Sequence, residues 1–586
     1  MYMKFLAAVL VTLLCSGCLS SIFPGKDNPN SGDTSGLVYL DQGWDQTNKF
    51  RELSYYTPQG SHLIPYKWFL ALEQPGNERL IRDPSNMNRL RFLTHRPQPE
   101  EDGALYEQLN PDGLPVGFVK DPPFKKGAPD KEGWMGFNCS ACHTNQVNYK
   151  GVGIRVDGGP SMADFQGFLE EVRNALNATV ADSAKFDRFA KRVNREDSSV
   201  LKEELKKFTE GFNELVRRNH SPLRYGFARL DAFGAIINEV AKNMGQPQDI
   251  LPANAPVSYP FIWDAPKLDF VQWNRSVDNP IARNAGEVVG VYGEITPQLS
   301  KRPPFKSSIR LHDLFNLEQW LVKLESPKWP EEHLPKIDRP KAEKGKKLYD
   351  RYCNGCHAND LSKNMTDPKE NFAGKTFIKT NGIYIEKMRT DPRMATNFAG
   401  RFFETGPVVK ALMPEWKAEC GKVPAGMVLG KFIRVLVGPE LLKLPPEQFL
   451  EYTGYRVNPK DPEAPVDCTK ATPEIKKAML KEVLVYKARP LNGIWATAPY
   501  LHNGSVPNLY QLLLKESERD SEFCVGSREF DPVHVGFKYK PDPQKGCGND
   551  FTFDTKLQGN LNTGHNFTSR LEEEERWQLV EYLKTL

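Results

Sequence analysis

The sequence predicts a mainly α-helical protein of two domains, with long loops and a large insertion around the first of two repeated motifs. Three observations lead to this fold class. A Cys-x-x-Cys-His motif occurs twice, at Cys139–His143 and at Cys353–His357. Apolar residues recur at helical spacing between and after the two motifs. The 46 prolines and 44 glycines indicate long, ordered loops between the helices.

The repeated motif is the attachment site of a c-type haem. Two thiols, Cys139 and Cys142 or Cys353 and Cys356, form thioethers with the porphyrin, and His143 or His357 ligates the iron. Cys and His each occur 10 times in 586 residues, so chance predicts only about 0.003 matches per chain. A structural zinc site would need further Cys or His nearby in sequence, and none is there. We therefore expect two covalently bound haems.

Composition limits the function classes. Hydrophobic content of 39% and charged content of 26% describe a soluble globular protein rather than a disordered or membrane-spanning one. The net charge of +4 comes without a basic cluster, so it gives no reason to expect nucleic acid as a partner. A chain of 586 residues has room for two or more domains, each with its own core.

The N-terminus predicts export. Lys4 precedes the apolar run 5–14, which is too short to cross a membrane and is typical of a secretory signal. The small residues before Cys18 resemble a bacterial lipobox, although Cys15 stands where Leu is usual. We expect residues 1–18 to be a signal peptide, and Cys18 to carry a lipid anchor unless the signal is simply cleaved. The protein would then lie in the periplasm or cell envelope, as an outer-membrane lipoprotein, or be secreted.

Four cysteines remain after export and haem attachment, namely Cys420, Cys468, Cys524 and Cys547. An oxidising compartment favours disulfides, and four thiols allow three pairings. Proximity in sequence favours Cys420–Cys468 and Cys524–Cys547.

The chain divides at the Pro-rich, charged segment 326–340. We predict a polar tether at 19–60, an N-terminal haem domain at 61–335 and a C-terminal cytochrome c domain at 336–586. Helices are predicted near 161–177, 183–194, 198–218, 225–244 and 310–325. Residues 270–293, with many Asn and Gly, are predicted to form an ordered loop.

The second domain begins and ends with helices. An amphipathic segment from Ala342 runs directly into Cys353, and the apolar side of 570–586 predicts a last helix. In small c-type cytochromes these two helices pack together, and a loop ahead of the last helix supplies the distal ligand. That loop here ends at His565, which we predict to be the sixth ligand of the second haem. His502 is the alternative.

The first haem has no comparably placed histidine or methionine. An empty sixth position binds O₂ or peroxide, whereas a six-coordinate haem is suited to electron transfer. The sequence therefore predicts that the first haem is the reaction site and the second transfers electrons.

The stretch Arg489 to Leu514 (RPLNGIWATAPYLHNGSVPNLYQLLL) resembles the signature of the bacterial di-haem cytochrome c peroxidase superfamily. Together with Cys-Ser-Ala-Cys-His at the first haem, the long segment before the second, and Asn-Thr-Gly-His565, the chain looks most like the rubber-oxygenase branch. That branch is similar to di-haem fatty-acid dioxygenases. The resemblance covers about residues 55–586.

The resemblance implies candidate catalytic residues. Tyr500 corresponds to an aromatic residue near the haems that assists electron transfer, unless it merely packs on the porphyrin edge. Glu287 is the acid we place over the first haem, where a peroxidase handles the proton of H₂O₂. Trp273 is expected as an apolar wall beside Glu287.

Three functions compete. The leading hypothesis is an exported di-haem oxygenase that uses O₂ on an unsaturated hydrophobic substrate, polyisoprene or a fatty acid. The second is a peroxidase that reduces H₂O₂ with electrons from a small redox protein. The third is a non-catalytic electron carrier held at the membrane by a lipid anchor.

Overall fold

The computed structural model describes residues 36–44, 49–95, 103–124, 132–195, 197–277, 280–298, 300–301, 303–370, 374–414, 416, 421–453 and 482–586. Its helices, numbered in chain order, are α1 Lys49–Tyr56, α2 Tyr66–Ala71, α3 Pro84–Arg89, α4 Gly103–Leu109, α5 Cys139–Cys142, α6 Phe165–Ala181, α7 Ser183–Val193, α8 Ser198–Arg218, α9 Ala232–Asn243, α10 Pro280–Gly290, α11 Leu311–Lys323, α12 Arg339–Tyr352, α13 Ile385–Met388, α14 Arg393–Ala399, α15 Pro407–Leu412, α16 Ala425–Leu441, α17 Pro446–Thr453, α18 Leu509–Leu513 and α19 Glu573–Leu583.

The strands are short. They are β1 Gly36–Tyr39, β2 Ile64–Pro65, β3 Phe118–Asp121, β4 Trp134–Phe137, β5 Thr144–Tyr149, β6 Val152–Asp157, β7 Arg229–Leu230, β8 Val257–Ser258, β9 Ile295–Pro297, β10 Phe305–Ser307, β11 Asn381–Tyr384, β12 Phe402–Phe403, β13 Val423–Pro424, β14 Val485–Ala488, β15 Glu522–Val525, β16 Phe530–Asp531, β17 Gly536–Phe537 and β18 Phe551–Asp554.

Two three-stranded sheets hold the first motif. β4 ends just before Cys139 and pairs antiparallel with β2 and β3. β5 begins directly after His143 and pairs antiparallel with β6, which pairs parallel with β1. The expectation of a mainly α-helical fold is therefore only partly right. The fold mixes helix and strand, because the first motif is anchored at both ends by strands.

The helices that follow the first motif agree largely with the sequence pattern. α6 buries Phe165, Phe168 and Val172 on one face, but it begins after Asp164 rather than Ser161. The Asp164 carboxylate accepts from the backbone N–H of Gly167 and so caps the helix. α9 begins only at Ala232, since the chain before it forms β7.

The predicted loop at 270–293 is wrong in its second half, where the chain forms α10. Ile281, Ala285, Val288 and Val289 are buried there, at the spacing of one helix face. The Asn and Gly residues of this segment obscured the helical period. Glu287 therefore stands on a helix rather than on a loop.

The helices before the second motif and at the C-terminus cross in close contact, as expected. The rings of Tyr349 on α12 and Tyr582 on α19 lie 5.2 Å apart. A Cβ atom on Gly345 would lie only 2.0 Å from the Gln578 carbonyl oxygen. The two backbones can approach this closely because position 345 carries no side chain.

An apolar core runs across both predicted domains. Val147, Ile154 and Trp263 of the N-terminal half belong to the same buried cluster as Trp495 and Leu579 of the C-terminal half. The division at about residue 335 stays a prediction, since the apolar core is continuous across it.

Cys524 and Cys547 form a disulfide, which confirms one predicted pairing. Cys420 and Cys468 lie outside the described residues, as do the expected signal at 1–18 and the first part of the tether. Within the described part of the chain, no helix is long and apolar enough to span a membrane.

Candidate haem sites

Each Cys-x-x-Cys-His motif forms one helical turn. The backbone N–H of His143 donates to the Cys139 carbonyl at 3.0 Å, and that of His357 donates to the Cys353 carbonyl at 2.8 Å. This i to i+4 turn places both thiols and the imidazole on neighbouring positions of one surface. The four motif cysteines carry free thiols, so both pairs can form thioethers.

The first turn is fixed by Asn138. Its side-chain oxygen accepts from the Ser140 N–H at 3.0 Å, and its amide donates to the carbonyls of Ser54 and Thr57 at 2.9 Å. The motif is therefore tied to the end of α1 and to the residue that follows it.

The two proximal histidines are held in the same way. Nδ1–H of His143 donates to the Pro260 carbonyl at 2.7 Å, and Nδ1–H of His357 donates to the Arg489 carbonyl at 2.7 Å. Such a bond fixes the tautomer and leaves Nε2 with its lone pair for a metal. Burial lowers the pKa of His143 to about 4 and also lowers that of His357, which keeps both imidazoles neutral at pH 7.

A cavity of about 200 Å³ adjoins the second motif, and it has a histidine on its far side. His357 and His565 both line it, with ring centroids 6.5 Å apart. Two imidazoles that share one metal, with bonds of about 2 Å, have ring centroids about 6 Å apart. Burial lowers the pKa of His565 to about 3, so this imidazole is neutral as well.

His502 and Tyr500 line the same cavity but are engaged elsewhere. The His502 ring stacks on Tyr486 at 3.9 Å. The Tyr500 hydroxyl is 3.2 Å to 3.4 Å from the carbonyls of Ile494, Trp495 and Val535, to which it can donate. Tyr500 thus lies at the second haem site, and its bonds are those of a packing residue.

A smaller cavity of about 50 Å³ adjoins Cys139 and His143, and Glu287 lines it. Burial raises the pKa of Glu287, and nearby Glu318 raises it further, while Arg283 opposes this. The Gln272 amide donates to Glu287 Oε1 at 3.3 Å. Among the described residues that line this cavity, His143 is the sole histidine and no methionine is present.

Trp273 does not stand where the sequence suggested. Val271 and Gln272 line the first cavity, but Trp273 lines the second. Gln272 has a positive φ of 64°, so the backbone makes a left-handed turn directly before Trp273. The Trp273 indole N–H donates to the Ser258 carbonyl at 3.0 Å, which fixes it there.

Sequence reasoning missed two basic residues that line both cavities, Lys487 and Arg489. Burial lowers the pKa of Lys487 well below its ordinary value and lowers that of Arg489 to about 10. One feature of the sequence could have indicated Lys487. It is a lysine in a short strand whose other residues, Val485, Tyr486 and Ala488, are buried.

The residues present fit two covalently bound haems. Each motif offers two free thiols, a neutral imidazole with a fixed tautomer and an adjoining cavity. The second site adds a facing imidazole, and the first adds a carboxyl group.

Residues 485–524 match the family model described as RoxA-like, cytochrome c-like. The match contains β14, Arg489 and the turn that carries Tyr500 and His502, which form one wall of the second cavity. The match shows a cytochrome c-like domain in this part of the chain, and such a domain implies haem.

Similarity over the whole chain shows the family. The chain is 32% identical over 617 aligned positions to uncharacterized protein y4iJ of Sinorhizobium fredii, which covers 96% of this chain and 95% of that protein. It therefore belongs to the same family as y4iJ. Uncharacterized protein y4iM of the same organism is 36% identical over 118 positions, 17% of this chain and 27% of that protein.

Proposed function

We propose that this protein is an exported di-haem oxidoreductase. The haem at Cys139–His143 is the reaction site, and the haem at Cys353–His357 transfers electrons to it. His357 and His565 would hold the second iron, and His143 would hold the first.

The observation that carries this proposal is the difference between the two cavities. A second imidazole faces His357 at 6.5 Å. The described residues that line the cavity at His143 include Glu287, but they include no second histidine and no methionine. A haem with two imidazole ligands is suited to electron transfer, whereas one with a free position can bind a small oxidant.

The residues around His143 have separate tasks. When bound, the haem supplies an iron that takes up O₂ or peroxide and exchanges electrons. Cys139 and Cys142 hold the porphyrin, and the Pro260 carbonyl orients His143. Burial raises the pKa of Glu287 above its ordinary value and so favours the protonated carboxyl group, which can carry a proton. Gln272 orients Oε1 of that carboxyl.

We propose O₂ as the co-substrate and an unsaturated hydrophobic compound, such as polyisoprene or a fatty acid, as the substrate. The RoxA-like match at 485–524 supports this choice, and so do the apolar side chains in the first cavity, Leu268, Val271 and Leu321.

The test is oxygen consumption by the purified holoprotein. O₂ uptake on addition of a polyisoprene emulsion or an unsaturated fatty acid, with oxidised products by mass spectrometry, is the expected result. Fast turnover of H₂O₂ without alkene-dependent O₂ uptake would contradict the oxygenase. If the reduced protein does not bind CO, only the hypothesis of a non-catalytic electron carrier remains.

A peroxidase is the second candidate, and Glu287 favours it. A buried carboxyl group in the cavity that adjoins His143 could carry the proton that peroxide cleavage requires. On this reading, Glu287→Gln lowers H₂O₂ turnover by about 10²-fold to 10⁴-fold. Glu294→Gln is the matched control, since Glu294 pairs with His62 and does not line the first cavity.

Export and a lipid anchor at Cys18 belong to the same proposal. Thiol attachment of haem takes place outside the cytosol, and a small redox protein there would supply electrons to the second haem. Radiolabelled lipid incorporation that is lost in Cys18→Ser would support the anchor, and its absence in the wild-type chain would exclude it.

A further inference from the structure

We propose that Arg489 is a positioning residue that joins the two haem sites and provides the route for electrons between them. This inference rests on the proposed function in one respect, namely that both motifs carry haem.

Arg489 is bonded toward both proximal histidines. Its backbone carbonyl accepts from Nδ1–H of His357 at 2.7 Å. Its guanidinium donates from Nη1 to the Phe261 carbonyl at 2.7 Å. Phe261 follows Pro260, whose carbonyl accepts from Nδ1–H of His143 at 2.7 Å. Three hydrogen bonds and the covalent bonds between them thus connect the imidazoles of the two sites.

The connection is rigid. Arg489 is 7% exposed, and its guanidinium carbon lies 3.7 Å from the centre of the Phe261 ring. A second bond runs from Nη2 to the Trp263 carbonyl at 2.8 Å. The Trp263 indole donates back to the Asn492 carbonyl at 2.8 Å. The segments 260–264 and 489–492 therefore hold each other in register.

The geometry suits arginine and excludes lysine. The guanidinium donates from Nη1 to the Phe261 carbonyl and from Nη2 to the Trp263 carbonyl, whereas the single ammonium nitrogen of lysine cannot occupy both positions. Pro260, Phe261 and Arg489 line both cavities, so they form a wall shared by the two candidate haem sites.

The step that Arg489 would serve is a one-electron transfer. With both haems bound, one electron would pass from the second site to the first. A small reduced redox protein supplies the electron, and no covalent bond forms or breaks in the wall. Each histidine is also tuned by the carbonyl it binds, because that bond sets the basicity of the ligand.

The experiment uses the full-length holoprotein and Arg489→Lys, which keeps the charge. Iron content and intact mass establish two haems per chain. After flash reduction of the second haem, the rate of electron arrival at the first is followed optically. We expect that rate to fall about tenfold, with both midpoint potentials shifted. Unchanged rate and potentials would overturn the proposal.

Arg528→Lys is the matched control. Arg528 is a buried arginine that donates to the Arg91 carbonyl at 2.8 Å and to Asn88 at 2.7 Å, and it lines neither cavity. It should lose stability and keep both rate and potentials. Equal slowing in this control would also overturn the proposal, because it would show a general structural effect.

If Arg489→Lys does not fold, Trp263→Phe loosens the same wall without changing charge, and a smaller slowing is expected. An unchanged rate in that variant would count against the proposal. A chain with a single haem would instead refute the proposed function. An intact interhaem rate without oxygenase or peroxidase activity would refute the activity alone.

Discussion

At the scale of single residues, His565 is the proposed second ligand of the haem at Cys353–His357. Its imidazole faces His357 with 6.5 Å between ring centroids. Replacing it by alanine should free one coordination position, so the reduced variant should bind one more CO per chain than the wild type. Optical titration with CO measures this directly.

His502→Phe is the control for that substitution. His502 stacks on Tyr486, and phenylalanine keeps the stacking, so CO binding should stay as in the wild type. If His502→Phe frees a position and His565→Ala does not, the assignment of the distal ligand is reversed.

Glu287 should make stability depend on pH. Burial raises its pKa above the unfolded value of 4.5, so the folded protein binds this proton more tightly than the unfolded chain does. The contribution to stability is complete below about pH 4.5 and is lost as pH rises through the folded pKa. Glu287→Gln cannot ionise, and its free energy of unfolding should fall less than that of the wild type over this rise. Denaturant titrations of both proteins at several pH values test this. If the free energy of unfolding falls equally with pH in the wild type and in Glu287→Gln, the prediction is wrong.

At the scale of elements, the crossing of α12 and α19 depends on Gly345. A Cβ atom there would lie 2.0 Å from the Gln578 carbonyl oxygen, so Gly345→Val must push the helices apart. We expect a loss of about 1–3 kcal/mol in the free energy of unfolding, measured by thermal or urea denaturation.

Gly211 offers the matched control for Gly345. It lies inside α8, and a Cβ atom there would meet nothing within 4 Å. Gly211→Ala should raise stability by up to about 1 kcal/mol, because alanine favours the helix. Equal losses at both positions would show that the crossing is not the cause.

At the scale of the whole molecule, the two halves should unfold together. The cluster that contains Ile154 and Trp263 also contains Trp495 and Leu579. Arg91 also donates to Gly526 at 2.6 Å and to Asp550 at 2.9 Å, which ties the halves at a second place. Calorimetry should show one transition, coincident with the loss of the visible haem spectrum. Two separate transitions, one per half, would contradict this shared core.

Local patterns predicted the local features. Features that depend on neighbours in sequence could be predicted. They are the two attachment motifs, the helix that enters the second motif, the last helix and the Cys524–Cys547 pair. The helix α10 could not be predicted, since Asn and Gly hid its apolar spacing. Trp273 was assigned to the wrong cavity because its position depends on the distant Ser258, whose carbonyl accepts from the indole N–H.

The sequence by itself determined the local features of this protein: the two Cys-x-x-Cys-His motifs, the imidazole that follows each pair of thiols, and the helices that precede the second motif and end the chain. Only the tertiary structure decided what stands between the two sites. Lys487 and Arg489 lie more than 300 residues from His143 in the chain, yet they line the same cavity as that histidine. Such proximity arises from packing of distant segments around a common core, and no periodicity or spacing in the sequence encodes it.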